Sequence, residues 1–181
     1  MTAGLRFPGE AVSASTQSDG LGTWSVLRTR SRQEKMLSAD LSAVGIEHYL
    51  PLVKRVQLYG NRKFKVELPL FPGYLFLRGS LDEVYTADRT RRVAQIIRVV
   101  DQQQLDWELR NLRLALEGTD SLDPYPYLQR GVRVEVRSGP MIGLQGLIEN
   151  RIGTNRLVLQ IDMLGQAVSL EIDGSLLDPI D

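Results

Sequence analysis

The sequence predicts an α+β protein in two parts, an N-terminal α/β sandwich followed by a small antiparallel β-barrel. Three observations carry this. Residues 23–118 alternate β-patterned runs with three amphipathic helical stretches, the pattern of helices laid against a sheet. Residues 128–181 hold four short β-patterned runs, "GVRVEVRSG", "LQGLIENRI", "NRLVLQIDM" and "QAVSLEIDG", separated by Gly, Asn or Asp turns with no helix between them. Between the two parts, "TDSLDPYPYLQ" places two prolines among polar residues with no period, so 119–127 reads as a linker. The opening "MTAGLRFPGEAVSASTQSDGLG" has no apolar core and reads as a disordered polar tail, 1–22, rather than a secretory signal.

The elements follow in order. "TWSVLRTR" is a short β-like run around Val26 and Leu27 beside Trp24. Ser31 and Glu34 then have capping-box spacing, in which each side chain would satisfy the other's free backbone N–H. Leu37, Leu41 and Val44 would form one buried helical face, and Gly45 would stop that helix. "IEHYLPLV" returns as a strand, and "KRVQLYGNRKFKVELPL" reads as a hairpin turning at Gly60–Asn61. After "YLFL", Ser80 and Glu83 cap a helix running through "LDEVYTADRTRR". "VAQIIRVV" is β-branched and strand-like. Asp101 and Gln104 make a third box, and Leu105, Leu109, Leu112 and Leu116 stripe a last helix ending at Gly118. In the C-terminal part, strict alternation in "VRVEVR" turns Val132, Val134 and Val136 inward and Arg133, Glu135 and Arg137 to water.

Composition removes several functional classes. Of 181 residues, 43% are hydrophobic and 24% charged, as in a globular protein. Lys and Arg number 22 against 22 Asp and Glu, so a nucleic-acid surface must be a local patch rather than a whole-molecule field. No apolar run has the length of a membrane span. With no cysteine there is no disulfide, thiolate zinc site or thiol nucleophile, which fits a reducing cytoplasm. His48 is the only histidine, and in its apolar strand it reads as a structural residue. Neither GxxxxGK[ST] nor GxGxxG occurs, and Glu47, Glu67 and Asp82 are scattered. The expectation is no catalysis, no metal and no cofactor.

The stretch "LPLFPGYLFL", residues 68–77, packs three aromatics and two prolines around one glycine. Proline removes a ladder N–H, so this is a turn rather than a continuous inner strand. Its greasiness asks for a purpose.

Order and wording together resemble a known family. The first unit resembles the NusG N-terminal domain, on Trp24, the helix after it, and "PLFPGYLF" following a basic hairpin. "GVRVEVRSGPMIGLQGLIE" resembles a KOW motif, with Gly131, Gly139, Pro140, Gly143 and Gly146 at its turns. The resemblance implies a transcription elongation or antitermination factor, monomeric, that binds the clamp helices of RNA polymerase and suppresses pausing or termination. It implies polymerase contacts at Trp24, Phe71, Pro72, Tyr74, Phe76 and Ile96. Rigid aromatics on a fixed Pro72–Gly73 turn are the chemistry of an interface anchor. They equally suit a domain core: for Phe76 the two readings weigh the same, whereas the match favours the interface for Phe71 and Tyr74. The KOW unit would recruit a second partner, Rho or a ribosomal small-subunit protein. "PLFPGYLF" looks most like specialised RfaH or UpxY-type paralogues. Their second polymerase contact has only Tyr85, Thr86 and Ala87 as its counterpart here, and the Gly- and Val-rich C-terminal part favours strands over a helical hairpin.

Basic residues cluster three times: Arg28, Arg30, Arg32 and Lys35; Lys54, Arg55, Arg62, Lys63 and Lys65; and Arg89, Arg91 and Arg92. Such clusters steer towards phosphates. The resemblance places residues near Arg30, Gln33 and Arg91 at the non-template DNA strand, and the clustering adds Arg32, Lys35 and Arg92 as nucleic-acid contacts, although a solvated face would explain each singly and the helix C-terminus would explain Arg89, Arg91 and Arg92. The alternative from another class is a ribosome-associated RNA-binding KOW protein without polymerase affinity.

Overall fold

The computed structural model describes residues 22–128, 131–151 and 154–181. The N-terminal tail expected over 1–22 lies almost wholly outside the described residues. The elements in chain order begin with β1 (Thr23–Thr29), α1 (Glu34–Ala43), β2 (His48–Tyr49), β3 (Leu52–Tyr59), β4 (Arg62–Pro69) and β5 (Tyr74–Gly79). Next come α2 (Leu81–Arg89), β6 (Val93–Arg98) and α3 (Gln102–Gly118). The C-terminal part contains β7 (Asp123–Tyr125), β8 (Val132–Val136), β9 (Gln145–Arg151), β10 (Thr154–Ile161), β11 (Gln166–Glu171) and β12 (Leu177–Pro179).

The first sheet has the order β2-β5-β1-β6, with every neighbouring pair antiparallel. Its two inner strands are covered on both sides. Leu27, Leu75 and Leu77 meet Leu37 and Leu41 of α1 and Val84 and Ala87 of α2, while Val26 and Phe76 point to the opposite face, towards α3. That double burial explains why β5 reads as an unbroken apolar run instead of alternating. β3 and β4 form a separate two-stranded sheet. The remaining strands make a second antiparallel sheet in the order β12-β8-β9-β10-β11-β7, so the α+β class with a β-rich C-terminal part is the fold observed.

α3 joins the two parts because it carries two working faces. At about 100° per residue, Gln102, Asp106, Leu109 and Arg113 fall on one side and Gln104, Glu108, Asn111 and Ala115 on nearly the opposite one. The first side holds the N-terminal sheet: the Gln102 amide accepts from the Trp24 N–H at 2.6 Å and donates to the Trp24 carbonyl at 2.8 Å. The second meets the C-terminal sheet: the Asn111 side chain accepts from the Gln145 N–H at 2.9 Å, and Glu108 from the Asp162 N–H at 3.1 Å. Arg133 lies over the Trp107 ring at 5.6 Å. One apolar core therefore runs from Trp24 and Phe71 through Leu105, Leu109 and Leu112 to Leu157 and Val168.

Several local expectations change. Ser31 and Glu34 form no capping box: α1 starts after Gln33 without a side-chain cap, because Arg32 turns the chain in the left-handed region and the Glu34 carboxylate is committed elsewhere. Val44 is exposed, since the helix ends one residue earlier and Gly45, at φ +72°, turns the chain away. The Ser80–Glu83 box is complete, but its helix ends at Arg89. Asp101 caps α3, while Gln104 turns its side chain towards Glu108 instead of closing the box. Val132 is exposed at the strand end, leaving Val134 and Val136 inward. The proline-rich segment read as a linker is also structured. Leu122 is fully buried and Asp123–Tyr125 pairs with β11, because proline is tolerated on an outermost strand.

Candidate functional site

The greasy turn is built from Phe71, Pro72, Gly73 and Tyr74. Proline fixes φ at the second position, Gly73 takes φ +86° at the third, and the Tyr74 N–H reaches the Phe71 carbonyl at 3.2 Å. That is a type II turn, which requires a residue tolerant of positive φ where glycine stands. Both backbone groups of Gly73 are taken. Its carbonyl accepts from the Thr29 N–H at 2.8 Å, and its N–H donates to the buried Glu34 carboxylate at 2.7 Å. The turn is thereby pinned to β1 and to the first residue of α1.

Sequence reasoning missed this role of Glu34. Its distance from Ser31 is the spacing of a cap, so the local signal pointed to the wrong partner, and the true one lies 39 residues away.

The aromatic positions separate by burial. Phe71 is 2% exposed, Phe76 is fully buried, and Trp24 lies under α3 with its indole N–H on Asp106 at 3.0 Å. The Arg78 guanidinium sits 5.4 Å from the Trp24 ring centre. Trp24, Phe71 and Phe76 are thus core residues in this arrangement rather than exposed anchors. Pro72 is exposed, while Tyr74 is half-buried, packed against the same core with part of its ring at the surface.

Ile96 does not join the group. It pairs with Leu27, whose side chain points to the α1–α2 side, whereas its neighbour Ile97 pairs with Val26 on the Trp24 side and packs on that core. A register shift in β6 opposite Arg28 and Thr29 breaks the alternation that counting from Val93 would give.

The basic residues do come together. The Arg30 N–H donates to the Arg92 carbonyl at 2.8 Å, which sets the start of α1 beside the α2–β6 connection. Within this cluster Arg92 is already occupied, donating to Asp40 at 2.6 Å and to the Gln33 side chain at 2.5 Å, so Arg92 and Gln33 serve the fold. Arg30, Arg32, Lys35 and Arg91 are exposed. Arg32 and Arg91 are also the two described non-glycine residues at positive φ, 58° and 60°. Left-handed backbone at bulky residues costs energy and concentrates where geometry serves a task.

Two further expectations settle locally. His48 has both ring nitrogens engaged. Nδ1 faces the Ile46 carbonyl at 2.8 Å and must carry a proton there, and Nε2 is hydrogen-bonded to Ser38 Oγ at 2.7 Å. In the segment Tyr85–Thr86–Ala87, Ala87 is fully buried and the Thr86 hydroxyl donates back to the Asp82 carbonyl at 2.9 Å, leaving only Tyr85 projecting.

Comparison with known proteins agrees with the N-terminal part. Residues 22–110 match the family described as transcription termination factor nusG. Among solved structures, a chain described under "Domain interaction in Thermotoga maritima NusG" is 20% identical, with 88% of this chain and 97% of that chain covered and a TM-score of 0.44. No curated protein matches. Among the described residues, no helix is long and apolar enough to cross a membrane.

Proposed function

We propose that this protein is a transcription elongation or antitermination factor that grips the clamp helices of RNA polymerase through the Phe71–Tyr74 turn and makes or breaks no bond itself. The observation that supports this best is the turn: a type II bend, tied to β1 and α1, that leaves Pro72 exposed and Tyr74 half-exposed within the segment that matches the nusG family. Trp24, Phe71 and Phe76 back it as a stiff floor, and Ile97 rather than Ile96 completes that floor. Arg30, Arg32, Lys35 and Arg91 then face non-template DNA, and the C-terminal sheet recruits Rho or a ribosomal small-subunit protein. The protein acts in the cytoplasm as a monomer, on selected operons as RfaH and UpxY-type paralogues do, by binding the elongating state more tightly than the paused one.

The test is Tyr74→Ala. An interface aromatic costs about 2 kcal/mol or more of binding, over tenfold in affinity. The variant should melt near the wild-type temperature yet no longer retain polymerase in a pull-down or suppress pausing in a single-round transcription assay. Normal polymerase binding by a folded variant, or recovery of ribosomes with wild-type protein in place of polymerase, overturns the reading.

A further inference from the structure

The β3–β4 hairpin is the least explained part of the molecule. It pairs with neither sheet, and only its base is anchored. There Val53 is buried, Arg55 pairs with Asp123 at 2.9 Å and also donates to the Leu122 carbonyl, and Lys54 lies 4.0 Å from Asp120. The outer half stands in solvent with large apolar groups uncovered: Tyr59 is 63% exposed, Phe64 45%, Val56 60% and Leu58 67%. A design aimed only at solubility would not place them there.

Register sorts these residues into two faces, because directly paired residues of an antiparallel ladder share one side. Gln57 opposite Phe64 and Tyr59 opposite Arg62 make one face; Val56 opposite Lys65 and Leu58 opposite Lys63 make the other. On the first, the Tyr59 and Phe64 rings meet edge to face, 5.8 Å apart at 69°, and the Tyr59 hydroxyl donates to the Gln57 side chain at 2.9 Å. The rings are therefore preset. Charge completes the pattern. Residues 52–69 hold five cations, Lys54, Arg55, Arg62, Lys63 and Lys65, against the single carboxylate Glu67, in a chain of net charge zero. Asp120 and Asp123 answer the two at the base, whereas Arg62, Lys63 and Lys65 have no ion pair among the described residues.

From this we infer that the outer half of the hairpin binds single-stranded nucleic acid, with Tyr59 and Phe64 stacking on unpaired bases, Arg62 on the same face holding a flanking phosphate, and Lys63 and Lys65 on the opposite face adding to the positive field around the strand. Exposed ring faces beside uncompensated cations are the recognition chemistry of a single strand. A duplex buries its base faces, and so offers the rings nothing. This site is separate from the Arg30–Arg91 cluster, and it needs no polymerase.

Fluorescence anisotropy of the full chain with labelled twenty-nucleotide oligo(dT) and oligo(U), across a salt series, tests it. Tyr59→Ala/Phe64→Ala should weaken binding by about tenfold or more, while Tyr59→Phe/Phe64→Tyr, which keeps both rings, should bind as wild type. Arg62→Gln/Lys63→Gln/Lys65→Gln should lower the log–log salt slope by about 0.7 or more, the value of the phosphate contact that Arg62 makes on a single strand. All three variants change exposed positions, so their melting temperatures should match wild type and exclude misfolding. The inference is overturned by an unchanged affinity in the alanine variant, by equal binding of a blunt duplex of the same length, or by retention on phosphatidylglycerol vesicles with no oligonucleotide binding.

Discussion

Glu108 makes the contact between α3 and the C-terminal sheet pH-dependent, in a direction the structure fixes. Its side chain is 4% exposed and accepts from the Gln104 amide at 3.0 Å and the Asp162 N–H at 3.1 Å. The carboxylates of Asp162 and Asp101 lie nearby, and Arg133 and Tyr127 line the same cavity between helix and sheet. Burial raises the Glu108 carboxyl from 4.5 to about 7; the two hydrogen bonds oppose that rise, and the neighbouring carboxylates reinforce it. A carboxyl with a raised folded-state pKa holds a proton that the unfolded chain has lost. Its contribution is therefore intact below pH 4.5, declines as pH climbs through the window, and is gone above about 7. At about 1.4 kcal/mol per unit, the ionised group costs the packed state about 3–4 kcal/mol at pH 8, roughly 7–14 °C for a chain of this size. Glu108→Gln keeps the acceptor for the Asp162 N–H and cannot ionise. Thermal unfolding of both proteins from pH 5 to 8.5 should give curves that converge at low pH and separate as pH rises, with the variant more stable at pH 8. The difference between the two curves isolates Glu108 from the other carboxylates. A flat difference, or a variant less stable at pH 8, would refute the buried-carboxyl argument.

Two more outcomes are expected. Glu34→Ala removes the partner of the Gly73 N–H and should cost about 1–3 kcal/mol, with hydrogen exchange accelerated at Gly73 and unchanged in α2; full protection at Gly73 would show that the turn does not depend on Glu34. Ile96→Ala, at a side chain 37% exposed, should shift stability by less than about 1 kcal/mol, whereas Ile97→Ala should cost clearly more. Equal effects on chemical denaturation midpoints would contradict the register of β6.

The elements were legible because local signals were strong and agreed. Ser80–Glu83 capped a helix as spacing required, Gly60 turned the β3–β4 hairpin at φ +60°, and the leucine stripe of α3 was buried from Leu105 to Leu112. What could not be read were choices between partners distant in sequence. Glu34 was read as a local cap, and the nonlocal role won because the part-buried Gly73 N–H takes its carboxylate as acceptor. The second face of α3 was likewise invisible: Gln104, Glu108 and Asn111 are polar, and polar positions on a helix read as solvent-facing until Gln145 of β9 and Asp162, just after β10, meet them. At the candidate site exposure did not follow from residue type. Phe71 and Tyr74 flank the same turn, yet one closes the core and the other reaches its surface.

That turn also decides how the two candidate surfaces relate. Glu34 begins α1, immediately after the exposed arginines, and its carboxylate ends on Gly73, between Pro72 and Tyr74. On the far side, Thr29 closes β1 one residue before Arg30 and donates to the Gly73 carbonyl. Separating the basic cluster from the turn would leave both backbone groups of Gly73 without partners and strand a carboxylate that is 7% exposed. Each such loss in a buried setting costs on the order of 1–3 kcal/mol, a large share of a domain's total stability. The cluster and the turn therefore move as one body. A ligand held by Arg30, Arg32 and Arg91 and a partner held by Pro72 and Tyr74 would be kept at a set distance by two hydrogen bonds to a single glycine. A factor that bridges DNA and polymerase needs that rigidity, because a flexible joint would let either contact form without constraining the other.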